Sequence, residues 1–179
     1  MGAAMTRSYS LVDGFIDAFD SWNPIVAAPT LRMQIDSLVR VAYVARAEQA
    51  DEVAAYVIGG GEFRHLKDPN GQKLLDRRLL EHAADAHPWV QEVYSATSGW
   101  VHFSPEHVRA TWKVIQNDDD PSAGMRFSGG VPLPQDMIPC EALAQLVMAM
   151  TKATEELFGY VEAWESRKGL PAGEVRDLE

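Results

Sequence analysis

Residues 29 to 48 have the sequence PTLRMQIDSLVRVAYVARAE, and this stretch decides the fold. Its apolar residues recur three and four positions apart, which places their side chains on one face of an α-helix. Pro29 and Thr30 are typical of a helix start. The apolar line runs through Leu31, Ile35, Leu38, Ala42 and Ala45, and Val39 and Tyr43 widen it. The stretch predicts a long helix on which few positions are polar.

Shorter helices are predicted on either side of this one. Apolar spacing and turn residues place them at about residues 8 to 21, 51 to 58, 72 to 86 and 88 to 98. The sequence Asp68-Pro69-Asn70-Gly71 predicts a tight turn. Residues 100 to 103 are predicted to be extended, and Ser104 followed by Pro105 to open a short helical turn.

The end of the chain predicts the longest helix, from about residue 138 to residue 167. Apolar residues there alternate four and three apart for three heptads, which predicts a single packing seam that could also support a homodimer. The seam runs through Leu143, Val147, Met150, Thr154, Leu157, Val161 and Trp164. Before it, residues 111 to 116 and 125 to 128 have the pattern of a β-hairpin. We therefore expect a mainly α protein: one domain over residues 1–179, an up-and-down helical bundle with a small β-hairpin inserted before the long C-terminal helix, and a loose tail from about residue 169.

Composition narrows the classes of function. The chain has 179 residues, a formal charge of -10 and a pI near 4.9, which argues against avid non-specific binding of nucleic acid. One cysteine excludes an intrachain disulfide framework, and no apolar stretch reaches the length of a membrane span. These features predict a cytoplasmic protein that makes no use of the membrane. Residues 62 to 78 are locally basic, so this segment could meet an anion.

Arg32, Asp36 and Arg40 lie four residues apart on the long second helix and therefore share one face of it. Arginine suits the bidentate capture of carboxylate or phosphate, and an aspartate between two arginines would hold both in place. The stripe predicts a site for phosphate or another acidic ligand. The alternative is an internal network of ion pairs that ties helices together, because charges on so apolar a helix need partners.

A second group of polar residues surrounds His102. Val101 and Phe103 flank it, and Ser104, Glu106 and His107 follow. The spacing of His102, Glu106 and His107 does not match the helical zinc motifs, so we predict no metal and no other cofactor. His102 then either lines a functional pocket or forms hydrogen bonds where a helix meets a strand.

Three segments between residues 30 and 108 resemble a group of uncharacterised bacterial proteins. They are Leu31 to Asp36, Phe63 to Asp68 with Gly71 and Asp76, and Pro88 to Val90 with Tyr94 and Thr97 to Ser104. The helical layout is similar to HEPN-like domains found in bacterial defence and toxin-antitoxin settings. The resemblance implies a shared site formed by Arg32, Asp36, Lys67, Asp68, His102 and Ser104.

Arg77 and His82 form an Arg-x-x-x-x-His pattern that falls within the ribonuclease signature of the HEPN superfamily. Arg78 stands where a smaller polar residue usually follows the arginine. The structural alternative is a surface pair between Arg77 and Glu81 beside a half-buried His82.

Three functions are open from the sequence, and in the plainest of them the charges are all structural and the protein acts through a protein-protein surface on the long last helix. Of the other two, the first is a non-enzymatic protein that binds an anionic small molecule or a protein partner through Arg32, Asp36, Arg40, Lys67, Asp68, His102 and Ser104. The second is a HEPN-like ribonuclease, or a catalytically dead relative, that acts on RNA through Arg77, His82 or His102.

Overall fold

The computed structural model describes residues 1–101 and 139–168, together with the backbone of residues 112–115 and 126–129. Its α-helices are α1 (Gly2–Asp20), α2 (Pro24–Arg46), α3 (Ala50–Ile58), α4 (Asp76–Ala84), α5 (Trp89–Val101) and α6 (Cys140–Arg167). Residues Phe63–His65 form a 3₁₀ turn between α3 and α4. The described part of the chain is mainly helical, as the sequence predicts.

Helix α2 lies at the centre of the fold. It packs against α1, α3, α4, α5 and α6. The predicted apolar line explains this position, because Leu31, Ile35 and Leu38 are completely buried. Side chains buried on several faces of one helix require neighbours on several sides, and the five other helices of the described part of the chain supply them.

Helix α2 begins earlier than the sequence predicts. It starts at Pro24, directly after Asn23, and continues through Pro29. Proline suits the first turn of a helix, where its missing N–H has no partner to lose. Pro29 lies one turn further on, where its missing N–H removes a single hydrogen bond. Packing over the rest of the helix outweighs that loss, so the predicted start at Pro29 is wrong.

Helix α6 buries a stripe that differs in part from the predicted seam. Met150, Leu157 and Val161 are buried as predicted, together with Ala153, whereas Val147 is 39% exposed. A fully buried Gln34 of α2 connects three helices in this region. Its Nε2 donates to Ser8 Oγ of α1 at 2.5 Å and to Thr154 Oγ1 of α6 at 3.1 Å.

Helix α4 is shorter than predicted, because residues 66 to 75 form a turn and a short antiparallel bridge instead of helix. Lys67 pairs with Lys73, and the Leu74 N–H donates to the Leu66 carbonyl at 3.0 Å. The tight turn predicted at Asp68 lies between them. Helix α5 in turn runs to Val101, so the predicted extended start at residue 100 is wrong.

Two short strands, β1 (Trp112–Ile115) and β2 (Arg126–Gly129), pair antiparallel with Trp112 opposite Gly129. The rest of residues 102–138 lies outside the described part of the chain, as does the tail from residue 169. Because the residues that join the two strands to each other and to the helices are not described, the inserted hairpin stays a prediction. The up-and-down order and the single domain also stay predictions. Among the described helices, none has the length and apolar character required to span a bilayer.

Candidate functional site

The candidate site is built around the carboxylate of Asp68, in the turn before α4. Asp68 Oδ1 accepts hydrogen bonds from the backbone N–H of Asn70 at 2.9 Å and of Gln72 at 2.8 Å. Gly71 closes the turn with a φ of 77°, a conformation that glycine adopts without strain. These bonds hold the Asp68 side chain in a position where none of it is exposed.

Arg78, in the first turns of α4, binds the other oxygen of this carboxylate. Its Nε and Nη2 lie 2.7 and 2.6 Å from Asp68 Oδ2, and its Nη1 donates to Glu81 at 2.9 Å. Burial alone would raise the pKa of Asp68, but the N–H of Gln72, the Arg78 guanidinium and, to a smaller extent, the His82 ring lower it below its ordinary value. The same arginine, with Arg77, lowers the pKa of Glu81. Asp68 is therefore an ionised carboxylate whose charge is compensated within the fold.

His82 lies one turn beyond Arg78 and faces the same carboxylate. Its Nε2 is 3.4 Å from Asp68 Oδ2, yet this buried nitrogen has no hydrogen bond partner among the described residues. The ring meets Tyr43 of α2 edge to face, with the centroids 5.4 Å apart. Burial and the charge of Asp68 raise the pKa of Tyr43, and Arg78 partly offsets them. His82 thus lines the cleft with a ring whose Nε2 is buried against Asp68.

A cavity of about 440 Å³, here called the Asp68 cleft, opens beside these residues. It lies between the C-terminal half of α2, the α2–α3 connection, the Asp68 turn and α4. Two cations line it: Lys67, which is exposed and has no ion pair among the described residues, and Arg46, whose Nη1 donates to the His82 carbonyl at 3.3 Å. Glu48 is an acidic residue at the same cleft. Because Arg78 compensates Asp68, the cations that face the cleft favour an anionic ligand.

The structure brings together some of the residues predicted to share a site. Lys67, Asp68 and His82 line the Asp68 cleft. Asp36 and Arg40 line a different cavity, which lies against another face of α3. The residues His102 and Ser104 are outside the described part of the chain.

The arginines of the predicted α2 stripe face different neighbours. Arg40 forms ion pairs with Asp36 and, at 2.8 Å, with Asp76 of α4. Arg32 instead lies over the ring of Tyr94 in α5. The pairing of Arg40 corresponds to the structural alternative, in which the charges tie helices together.

Arg77 points away from the cleft. Its side chain is 92% exposed, and its Nε donates to Glu81 at 3.1 Å. The surface pair and the partly buried His82 of the structural alternative are both present. Within the Arg-x-x-x-x-His pattern, His82 lines the Asp68 cleft, whereas Arg77 lies outside its wall.

Three residues of the site are not predicted from the sequence: Tyr43, Arg46 and Arg78. The periodicity assigns Tyr43 to the apolar line of α2, and Arg46 lies at its end without a motif. Arg78 stands out only as part of the basic segment and as a departure from a ribonuclease pattern. A basic residue in the first turns of a helix that follows an Asp-Pro-Asn-Gly turn could have indicated the pair with Asp68.

Neither family models, nor curated proteins, nor solved structures match this chain. The functional argument therefore depends on the geometry of its own residues. Within the described residues, no group of three or more His, Cys, Asp or Glu side chains is placed to hold a metal ion.

Proposed function

We propose that this protein binds a small anionic ligand in the Asp68 cleft, without catalysing a reaction on it. Lys67 and Arg46 supply positive charge, and His82 supplies a nitrogen inside the cleft wall. With Asp68 compensated by Arg78, these two cations outnumber the carboxylate of Glu48, so the cleft favours anions at one place on a chain whose formal charge is -10.

The observation that carries this proposal is that Lys67, without an ion pair among the described residues, lines the same cleft as His82, whose buried Nε2 has no hydrogen bond partner among them. A buried polar atom without a hydrogen bond costs free energy, and folded proteins keep few of them. The nearby Asp68 already accepts hydrogen bonds from Arg78 and from two backbone N–H groups. A rotation of the His82 ring would bring Nε2 to the cleft surface, where a ligand oxygen that accepts its hydrogen bond would satisfy the nitrogen and meet the charge of Lys67.

The test is isothermal titration of the full chain with pyrophosphate, AMP and citrate. We expect saturable binding of at least one probe, weakened about tenfold by Lys67→Gln and by His82→Gln, and weakened further by added salt. Lys73→Gln is the matched control, because Lys73 is an exposed lysine of the same turn that does not line the cleft. Absence of binding by all three probes, or equal effects of the two lysine variants, would contradict the proposal.

A second candidate function is RNA cleavage by a HEPN-like ribonuclease. It is favoured because His82, the histidine of the Arg-x-x-x-x-His pattern that begins at Arg77, lines the cleft. An imidazole next to a buried carboxylate is an arrangement that serves general acid-base catalysis. Under this function, cleavage of a labelled single-stranded RNA would be lost in Arg77→Ala and in His82→Ala or His102→Ala. Retained cleavage in all three variants would exclude these residues as the catalysts. His65→Ala is the control, because His65 is exposed and lies outside the cleft.

Three further features of the prediction are also proposals: the cytoplasmic location, the inserted hairpin and a homodimer formed through α6. Val147 and Met148 leave apolar surface on α6, at 39% and 70% exposure. Equilibrium sedimentation of the full chain tests the dimer, and Met148→Glu should shift it towards monomer. A monomer at high protein concentration would exclude it.

A further inference from the structure

A second cavity lies between the start of α1, the middle of α2 and one face of α3. Its volume is about 470 Å³, which is within the usual range for small-molecule sites. Val41 and Val44 of α2 form one wall, and Ala54, Val57 and Ile58 of α3 form another. We call this the apolar cavity.

The apolar wall is incompletely covered. Helix α3 has no buried residue, and Ile58 at the edge of the cavity is 82% exposed. Apolar side chains on one face of a short surface helix usually pack against the protein core. Here they face open space inside a concave surface, so an apolar ligand that fills it would remove this surface from water.

Charged side chains at the rim determine the kind of ligand. Arg40 and Asp36 compensate each other, and Arg40 also pairs with Asp76. Arg7 of α1 has no ion pair within the described residues. Its Nε donates to Ser37 Oγ at 2.9 Å, and its two terminal nitrogens make no hydrogen bond there. Those nitrogens have the geometry that binds a carboxylate with two parallel hydrogen bonds.

We propose that the apolar cavity binds a single-chain amphipathic anion, with its hydrocarbon chain against α3 and its carboxylate at Arg7. The ligand class is that of a medium-chain fatty acid. This site does not depend on the proposed function, because the apolar cavity and the Asp68 cleft have no lining residue in common.

The test is isothermal titration of the full chain with decanoate below its micelle concentration. We expect one site per chain. Octanoate should bind about 15-fold more weakly, because burial of each methylene group is worth about a fourfold change in affinity. 1-Decanol should also bind more weakly than decanoate, because it lacks the charge that Arg7 would meet.

Variants locate the site. Ala54→Phe fills the apolar cavity and should abolish binding, whereas Ala55→Phe, one position along α3 and exposed, should leave it unchanged. Arg7→Gln should weaken decanoate about tenfold and leave 1-decanol unchanged, while Lys152→Gln on α6 should change neither. If Ala54→Phe does not fold, Ile58→Glu replaces it, since that exposed position tolerates a charge that repels decanoate.

Three results would overturn the proposal. The first is no saturable binding of decanoate by the folded protein. The second is binding that survives both Ala54→Phe and Ile58→Glu, which would place the ligand elsewhere. The third is equal affinity for decanoate and 1-decanol, which would show that Arg7 does not recognise the anionic group.

Discussion

Replacing His82 with leucine should separate stability from ligand binding. The buried Nε2 of His82 has no hydrogen bond partner among the described residues, and a buried unsatisfied polar atom costs about 1–3 kcal/mol. The side chain is 28% exposed, so we take the lower end, about 1 kcal/mol. Leucine removes this cost. It also removes the edge contact with the Tyr43 ring, a loss of about 0.5 kcal/mol.

We therefore expect His82→Leu to raise the unfolding free energy by about 0.5 kcal/mol. A typical point mutation instead lowers the unfolding free energy by about 1 kcal/mol. Urea unfolding followed by circular dichroism measures the change, and the midpoint should rise by about 0.25 M urea for a slope near 2 kcal/mol/M. His65→Leu is the control, because His65 is exposed. In the same samples, the affinity for the anionic probe should fall about tenfold.

A loss of more than about 1 kcal/mol of stability in His82→Leu would refute the reasoning. It would mean that Nε2 supports the fold through the carboxylate of Asp68, which lies 3.4 Å away. His82 would then belong to the structural network of Arg78, and the cleft would lose the residue on which the proposed function depends.

Three other predictions concern the fold around the site. Gln34→Leu leaves the buried hydroxyl of Ser8 without its partner, but it also removes the buried Gln34 Oε1, which has no hydrogen bond partner among the described residues, so the net loss in urea unfolding should be no more than about 1 kcal/mol. Adding Ser8→Ala should make the double variant more stable than Gln34→Leu alone, and no gain would contradict the hydrogen bond. The pKa values of Asp68 and Glu81 are lowered in the folded state, so their contribution to stability is complete above the unfolded pKa and is lost as the pH falls through the folded pKa. Thermal unfolding between pH 5 and about pH 2 should therefore show a smaller fall in Tm for Asp68→Asn than for the unsubstituted chain, and parallel curves would refute this. Gly71→Ala should lower the unfolding free energy by about 1 kcal/mol in urea unfolding, because the φ of Gly71 is 77°. Gly14→Ala is the control and should be neutral or stabilising, because Gly14 lies in the middle of α1 with open space where a Cβ would stand. Equal effects of the two variants would contradict the strain argument.

Periodicity was sufficient to predict the helical class and the centre of the core. Leu31, Ile35 and Leu38 lie on the predicted line and are completely buried, because a long helix with so few polar positions has to be covered on several sides. The seam on α6 was less accurate. A heptad pattern repeats every 3.5 residues, while a straight helix has 3.6 residues per turn, so the predicted line drifts around α6 and leaves Val147 exposed.

The candidate site could be predicted only in part. Lys67 and Asp68 were predicted as ligand-binding residues and His82 as a candidate catalytic residue, and all three line one cleft. The sequence could not show whether Arg32 lies near these residues. Periodicity indicates which face of a helix a residue occupies, but not which neighbouring element that face contacts. The structure places Arg32 against Tyr94 of α5, and Arg78, which the sequence did not single out, against Asp68.

Helix α3 has a consequence for how this protein could change during evolution. None of its nine residues is buried, so substitutions along it cost the fold little. Yet Val53 shapes the Asp68 cleft, while Ala54 and Val57 shape the apolar cavity. Natural variation confined to this one short segment would therefore alter the shape of both cavities in related sequences while the central packing of α2 is inherited unchanged.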